Sequence, residues 1–326
     1  MTPVESLYRL ADIIKALLLR RPLALCDIGD LDGIVSASLF KMAFPRGVVV
    51  LASPPDVTGS ILIRAVRWTF VADLPCPGRA VIRADHHETN TPCAETEFYD
   101  PSAPAAAVLA AKALGLEGFD RALRLVHLAV EADTASITSW EAELLSDAVK
   151  GASYRGKLYI VDALAFRELY EVLEDPRIRS FASAYQKVRA MTRDLALRLP
   201  LDDEVVIVVF RRNLGLSYRY LCILLEERGA KLTAIIVPRG FRSVRVYLGA
   251  RSEQYDVSVV ARSLGGGGHS YAAGALLKGF NRRKLVSRVL GALANYLGSS
   301  ELNLLLVDEK RVERIKLRVH ESRDRA

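Results

Sequence analysis

The first half of the chain alternates short, almost uninterrupted apolar runs with segments of helical period. PLALC (22–26), GVVVLAS (47–53), WTFVADL (68–74) and RAVIRAD (79–85) read as buried strands, because polar residues rarely interrupt their apolar ones. Most of them lead into an acidic residue. Helix-like patterns cover residues 34–43 and 103–114. Strands alternating with helices predict an α/β fold on a doubly wound, mostly parallel sheet. Such sheets bind ligands outside the carboxyl ends of their strands, which is where several of these acids fall. Ahead of the first strand, residues 4–19 are apolar but broken by Glu5, Arg9, Asp12 and Lys15 at helical spacing. That stretch reads as an amphipathic helix and not as a secretion signal.

From about residue 163 to 199 the pattern turns to long, charge-rich helical periodicity, interrupted at Asp175-Pro176, and reads as a helical connector. A second, smaller α/β unit follows. Its predicted strands are EVVIVVF (204–210), KLTAIIVP (231–238) and SVRVYLGAR (243–251), with one helix running through Glu227 and another leading into the glycine-rich run 265–268. LNLLLV and RIKLRV near the end suggest a hairpin, followed by the polar tail ESRDRA. In the third of those strands Val244, Val246, Leu248 and Ala250 share one face, and Arg245, Tyr247, Gly249 and Arg251 the other. Arginine and tyrosine on one face suit phosphate contacts and base stacking, and suit a solvated face equally well.

The chain has 326 residues, enough for two domains with a core each. A hydrophobic content of 51% against 25% charged residues excludes a disordered chain. No apolar run reaches the roughly 18 residues of a membrane span, so a cytoplasmic protein without a membrane partner is expected. The formal charge of +7 favours polyanionic partners. Cys26, Cys76, Cys93 and Cys222 show no CxxC pairing. Reduced, partly buried thiols are therefore expected in place of zinc ligands or disulfides. Only Gln186 and Gln254 represent glutamine while Arg and Glu abound, a bias that leans toward a thermophilic source.

The sharpest local feature is Asp85-His86-His87, directly after a strand. Upstream, CDIGDLDG (26–33) sets Asp27, Asp30 and Asp32 in one turn between a strand and a helix. Clustered carboxylates repel one another, and stability alone would not assemble them; a divalent cation resolves the conflict. Asp73 ends another strand and Asp133 lies in EADT after a helix-like run, although either acid alone reads as a cap or a surface residue. Carboxylates with imidazole and no thiolate suit manganese or magnesium better than zinc. Two such ions can activate a water and stabilise the oxygens of an in-line displacement at phosphorus.

The order DxD, Asp at a strand end, DHH, then Asp resembles the DHH phosphoesterase superfamily, which includes RecJ-type exonucleases, nano-RNases and family II pyrophosphatases. GGGGHSYAAG (265–274), with Arg251-Ser252 upstream, is similar to the signature of the associated DHHA1 domain. The resemblance implies a DHH domain over residues 1–160, a connector over 161–200 and a DHHA1 domain over 201–326. It implies that Asp30 binds one metal and Asp32 the other, that Asp73 bridges them, and that His86 and Asp133 complete the second site. His87, with Asp85, would be catalytic beside the scissile phosphate. Arg251, Ser252, Gly266, Gly267, Gly268 and His269 would bind substrate.

One position departs from the family pattern. Relatives carry His or Asp two residues before the first Asp of the pair, where this chain has Ile28. A one-residue insertion that lets Asp27 take the missing place restores the ligand set. The resemblance thus implies two Mn²⁺ ions, with Mg²⁺ or Co²⁺ as substitutes, in a cleft between two domains. The substrate would be short RNA or single-stranded DNA, and the source a thermophilic archaeon. The rival readings are a non-catalytic scaffold in a replication or repair complex, or a pAp phosphatase or cyclic-dinucleotide phosphodiesterase. A replication or repair protein partner and a homodimer are further expectations.

Overall fold

The computed structural model describes residues 3–134, 136–309 and 311–318. The chain divides into two compact units, residues 1–186 and 187–326.

In the first unit α1 (Pro3–Leu18) precedes β1 (Leu23–Asp27), α2 (Leu31–Ala43) and β2 (Val48–Ala52). The short helices α3 (Pro54–Gly59) and α4 (Ile61–Ala65) lead to β3 (Trp68–Ala72), β4 (Ala80–Asp85) and β5 (Thr96–Tyr99). Five helices complete the series: α5 (Ala106–Ala113), α6 (Asp120–Asp133), α7 (Trp140–Gly151), α8 (Tyr154–Phe166) and α9 (Leu169–Glu174). The sheet is wholly parallel, in the order β2-β1-β3-β4-β5. Along β1 and β2 successive residues alternate between two cores, and β3 also contributes to both. Ala24, Cys26, Leu51, Phe70 and Ala72 pack beneath α2 and α5–α8, while Leu25, Val50, Val71 and Trp68 pack with Ile13 and Ala16 of α1. Burial on both faces explains why these strands lack a polar alternation. β5 went unpredicted because TEFY is short, lies at the sheet edge and has no buried residue.

Leaving β1 the chain passes to β2 on one side and then to β3 on the other, so the direction of winding reverses between β1 and β3. That is the position at which an open parallel sheet leaves a crevice at its carboxyl edge. α2 starts there, capped by Asp30, whose side chain accepts from the Gly33 N–H at 3.2 Å. A Cβ on Gly33 would stand 2.4 Å from the carbonyl oxygen of Asp27, so only glycine lets the helix approach β1 this closely.

Two expectations need correction. Cys76 and Cys93 form a disulfide, with their Cα atoms 6.0 Å apart, whereas Cys26 and Cys222 are buried free thiols. The bridge joins the loop after β3 to the loop before β5. Spacing in sequence gave no hint of it, because the parallel sheet brings together residues 17 apart. The helices of the expected connector do not stand apart either: Ile160, Val161, Leu164, Leu169, Val172 and Ile178 belong to the first core. The division after residue 186 falls within α10 (Pro176–Arg198). The break at Asp175-Pro176 is present as the junction of α9 and α10, with Asp175 accepting from the Arg177 and Ile178 N–H groups.

The second unit contains β6 (Val205–Phe210), α11 (Tyr218–Glu227), β7 (Leu232–Pro238), β8 (Ser243–Ala250), α12 (Val257–Ser263), β9 (Gly267–His269), β10 (Ala272–Lys278), α13 (Arg282–Leu297), β11 (Glu301–Val307) and β12 (Val312–Arg318). Its mixed sheet runs β12-β11-β6-β7-β8-β10-β9. β6 is parallel to β7 and β11, and the remaining pairs are antiparallel, including the expected β11–β12 hairpin. Val244, Val246, Leu248 and Ala250 do share a buried face. The glycine-rich run is itself strand: Gly267–His269 pairs with Ala272–Gly274. The tail ESRDRA lies outside the described residues.

Candidate metal centre

The crevice between β1 and β3 gathers the acids. Asp27 ends β1, Asp73 follows β3, Asp85 ends β4, Asp30 and Asp32 open α2, and Asp133 ends α6. Three sets of side chains bring one donor atom each within 4.8 Å of one another: Asp27, Asp30 and Asp73; Asp32, His86 and Asp133; and Asp73, His86 and His87. All six candidate metal ligands and His87 are therefore brought together. Asp85 is not among these donors.

Each donor is held by its own support. The Asp32 carboxylate accepts from the Ala106 and Ala107 N–H groups, both at 2.7 Å, so the start of α5 fixes it. Asp27 accepts from the Gly29 N–H, and its other oxygen is buried without a partner. Asp73 has a backbone φ of +59°, a left-handed conformation that side chains other than Asn and Asp rarely take; strain of this kind persists where the surroundings impose it. Its N–H bonds to the Ala84 carbonyl at 3.0 Å. The Asp133 side chain is partly open, at 28% exposure.

His86 carries the most informative geometry. Its Nδ1 lies 3.0 Å from the Ala103 carbonyl oxygen, which can only accept, so Nδ1 carries the proton. In the neutral ring Nε2 then presents a lone pair, and it stands 3.5 Å from an Asp133 oxygen and 3.9 Å from oxygens of Asp32 and Asp73. It is buried and has no hydrogen-bond partner. A lone pair facing three carboxylates is unfavourable unless a cation lies among them, and a backbone carbonyl behind a ligating imidazole is the usual second support of a metal site.

Electrostatics agree with the crowding. Burial, then the charge of Asp30, pushes the Asp27 carboxyl up to about 7, with the Gly29 N–H and Lys157 opposing. Burial raises Asp32 well above the usual carboxylate range, reinforced by Asp133 and Asp30. Asp73 is raised in the same way by burial and then by Asp32 and Asp30. Burial and Asp30 raise Asp133 as well. For His87, burial acts downward but is outweighed by the hydrogen bond and charge of Asp85, so its pKa lies above the ordinary value.

Several supporting residues gave no sequence signal. Arg83, with no exposed surface, pairs with Asp85, reaches Glu97 at 3.3 Å and donates to the Leu74 carbonyl at 3.1 Å. Asn90 donates to Asp85 at 2.7 Å, and Asp85 in turn lies 3.0 Å from Nδ1 of His87. Lys157 of α8 donates to the Ile28 carbonyl at 2.5 Å, beside Asp27 and Asp30. The Glu131 carboxylate accepts four hydrogen bonds from Thr138 and Ser139 and ties down the segment after Asp133. An inward-facing cation on a strand or a helix reads like any surface charge until its neighbours are known.

In the second unit Arg251, Ser252 and His269 gather at one end of the sheet. Ala250 bonds to the Tyr271 carbonyl at 3.0 Å, which sets the end of β8 beside the β9–β10 turn. The His269 ring stacks on Tyr271, with centroids 5.3 Å apart. Gly268 has φ of +134°, and a Cβ there would meet the Ala272 carbonyl at 2.5 Å. A Cβ on Gly266 would meet the Gly274 carbonyl at 2.1 Å, while Gly267 has open space on that side. Two of the three expected substrate-binding glycines are thus required by the hairpin itself.

No family model matches the chain, and no curated protein matches it in sequence. Solved structures do resemble it. A pGpG-specific phosphodiesterase from Vibrio cholerae superposes with a TM-score of 0.61 at 18% identity, over 85% of this chain and 99% of that one. RecJ from Thermus thermophilus in complex with Mn²⁺ superposes with a TM-score of 0.52 at 15% identity, over 88% of this chain. The match spans only 55% of RecJ. A DHH domain from a protein described as a member of a ribosomal-protein family gives a TM-score of 0.53 at 13% identity, over 90% and 93% of the two chains. In fold, the chain resembles these structures across both of its units.

Proposed function

We propose that the chain is a divalent-metal-dependent phosphodiesterase of the DHH superfamily that cleaves short oligonucleotides. The observation that carries this reading is the His86 Nε2 lone pair, buried and unpartnered among three carboxylates. Asp27, Asp30 and Asp73 would hold one ion, and Asp32, His86 and Asp133 the other, with Asp73 between them. Hard oxygen donors with one imidazole fit manganese, magnesium or cobalt. When bound, two such ions supply Lewis-acid stabilisation and water activation at a phosphodiester. The chain's own groups do the rest. Asp85 orients His87, which would face a phosphate oxygen as charge develops there. Arg251, Ser252, Gly267 and His269 would receive a flanking phosphate.

Short substrates are favoured over long ones. The phosphodiesterase whose full length the chain matches acts on pGpG by its description, whereas the RecJ match leaves nearly half of that protein uncovered. The inert-scaffold reading gains nothing from Ile28, since Asp27 stands with Asp30 and Asp73.

The test uses purified protein with Mn²⁺ on end-labelled DNA and RNA of two to about 20 nucleotides, with pAp alongside. Replacing Asp85, His86 and His87 together by alanine is expected to abolish cleavage. No cleavage by the folded wild type, with two Mn²⁺ ions bound, would overturn the proposal.

A further inference from the structure

The opposite end of β10 from the glycine-rich turn, ~20 Å along the strand, bears a feature that the proposed hydrolysis does not use. Phe241 and Phe280 are the two most exposed large apolar side chains among the described residues, at 93% and 87%. Together with Arg239, Arg242, Ser243 and Lys278 they line one concavity of about 760 Å³. Its frame is defined by backbone hydrogen bonds. The β7–β8 turn is closed by the Arg239 N–H on the Ser243 carbonyl at 2.8 Å, and the Gly279 N–H on the Arg242 carbonyl at 2.9 Å ties the chain leaving β10 to that turn. The Arg242 guanidinium lies 4.5 Å from the centre of the Phe280 ring. No acidic residue occurs between Glu227 and Glu253, or between Asp256 and Glu301, so both segments that build the concavity are purely cationic.

We propose that this concavity binds single-stranded nucleic acid, with bases stacking on Phe241 and Phe280 and flanking phosphates taken by Arg239, Arg242 and Lys278. A solitary exposed phenylalanine needs no explanation. Two of them in one concavity, edged by cations and with no acid in its lining, reproduce the stacking platform and positive groove by which proteins hold single strands without reading sequence. A lipid surface would also accept cations beside aromatic rings, but it meets a protein as a broad plane, whereas a concavity suits a planar base. The site lies within the second unit and does not depend on hydrolysis.

The experiment is fluorescence anisotropy of labelled dT20 on the full-length protein in EDTA, so that no cleavage intervenes. Stacking on aromatic rings supplies about 1–3 kcal/mol per base. The Phe241→Ala/Phe280→Ala double variant is therefore expected to weaken dT20 binding at least tenfold. Arg242→Glu is expected to weaken it and to flatten its salt dependence, while dinucleotide hydrolysis with Mn²⁺ stays within twofold for both variants. Unchanged dT20 affinity in the double variant overturns the proposal. So does binding of phosphatidylserine vesicles that depends on the two phenylalanines while dT20 does not bind. An enzyme inactive on every oligonucleotide that still loses dT20 binding with the phenylalanines would refute the proposed hydrolysis and leave this site standing.

Discussion

Arg83→Met isolates the support behind the histidines. The guanidinium has no exposed surface and is shared among the Asp85 carboxylate, Glu97 and the carbonyls of Leu74 and Thr91. Methionine keeps the aliphatic packing and removes the charge and every donor. Asp85, also without exposed surface, would then rely on Asn90 and His87 alone. Breaking a buried pair by deleting one partner costs about 3–5 kcal/mol. At roughly 2–4 °C per kcal/mol for a unit of this size, the melting temperature should fall by about 6–20 °C. The double variant Arg83→Met/Asp85→Asn should recover part of that loss, because it removes the orphaned charge. Neither residue is a proposed metal donor, so calorimetric Mn²⁺ affinity should stay within a few-fold while turnover falls with the loss of a fixed His87. Thermal unfolding by circular dichroism checks the first part and a side-by-side titration and rate measurement the second. Melting within 2 °C of wild type, with turnover intact, would refute the argument that Arg83 holds Asp85 and, through it, His87.

Three further outcomes are expected. Asp27→Asn should fold normally and bind one Mn²⁺ per chain instead of two by calorimetry; two ions bound would show that Asp27 is not the ligand standing in beside Ile28. Cys93→Ser opens the Cys76–Cys93 bridge, whose loop closure is worth ~3 kcal/mol by chain entropy, and should lower the melting temperature by about as much as treating the wild type with a strong thiol reductant. Glu131→Gln tests a pH dependence. The N–H groups of Ser139 and Thr138 lower the Glu131 carboxyl to about 2, so its contribution is fully present above the ordinary glutamate range and disappears as pH falls toward 2. The wild type should therefore lose stability in acid more steeply than Glu131→Gln, read as melting temperature between pH 3 and 7.

Much of the site was legible because the chemistry is concentrated in strand-end acids. Asp27, Asp30, Asp32, Asp73, His86 and Asp133 stand out from residue type and position taken together with the family resemblance, and the fold brings their side chains close to one another. The four strands β1–β4 were equally readable, since burial on both faces leaves continuous apolar runs. What escaped was non-local. Arg83 reaches Leu74, Thr91 and Glu97 outside its own strand, Glu131 reaches Thr138 and Ser139 beyond the end of α6, and the carbonyl that receives Lys157 is that of Ile28, far away in sequence. The disulfide joins two loops that only the sheet makes neighbours. The glycine-rich run read as a loop, because a three-residue edge strand of glycines carries no side-chain period at all.

Asp73 bears on the choice between an enzyme and an inert scaffold. Its backbone sits at φ of +59°, a conformation costing of order 1–3 kcal/mol where surroundings do not reward it. Its carboxylate is 4% exposed and faces other buried acids, so burial and like charge both act against it. Asparagine or glycine at this position would relieve the charge or the strain, and would leave the hydrogen bond from its N–H to the Ala84 carbonyl in place. Asp32 and Asp27 pose the same problem from the other side of the crevice, and the His86 lone pair adds a fourth unfavourable group. A protein whose only task was to present a surface would be more stable without any of them. Divalent cations would account for their joint presence, since each repulsive contact would become a ligand bond. Asp73→Asn should therefore raise the melting temperature in EDTA and lower it relative to wild type in saturating Mn²⁺. A variant less stable in both conditions would remove the physical reason for reading this crevice as a metal centre.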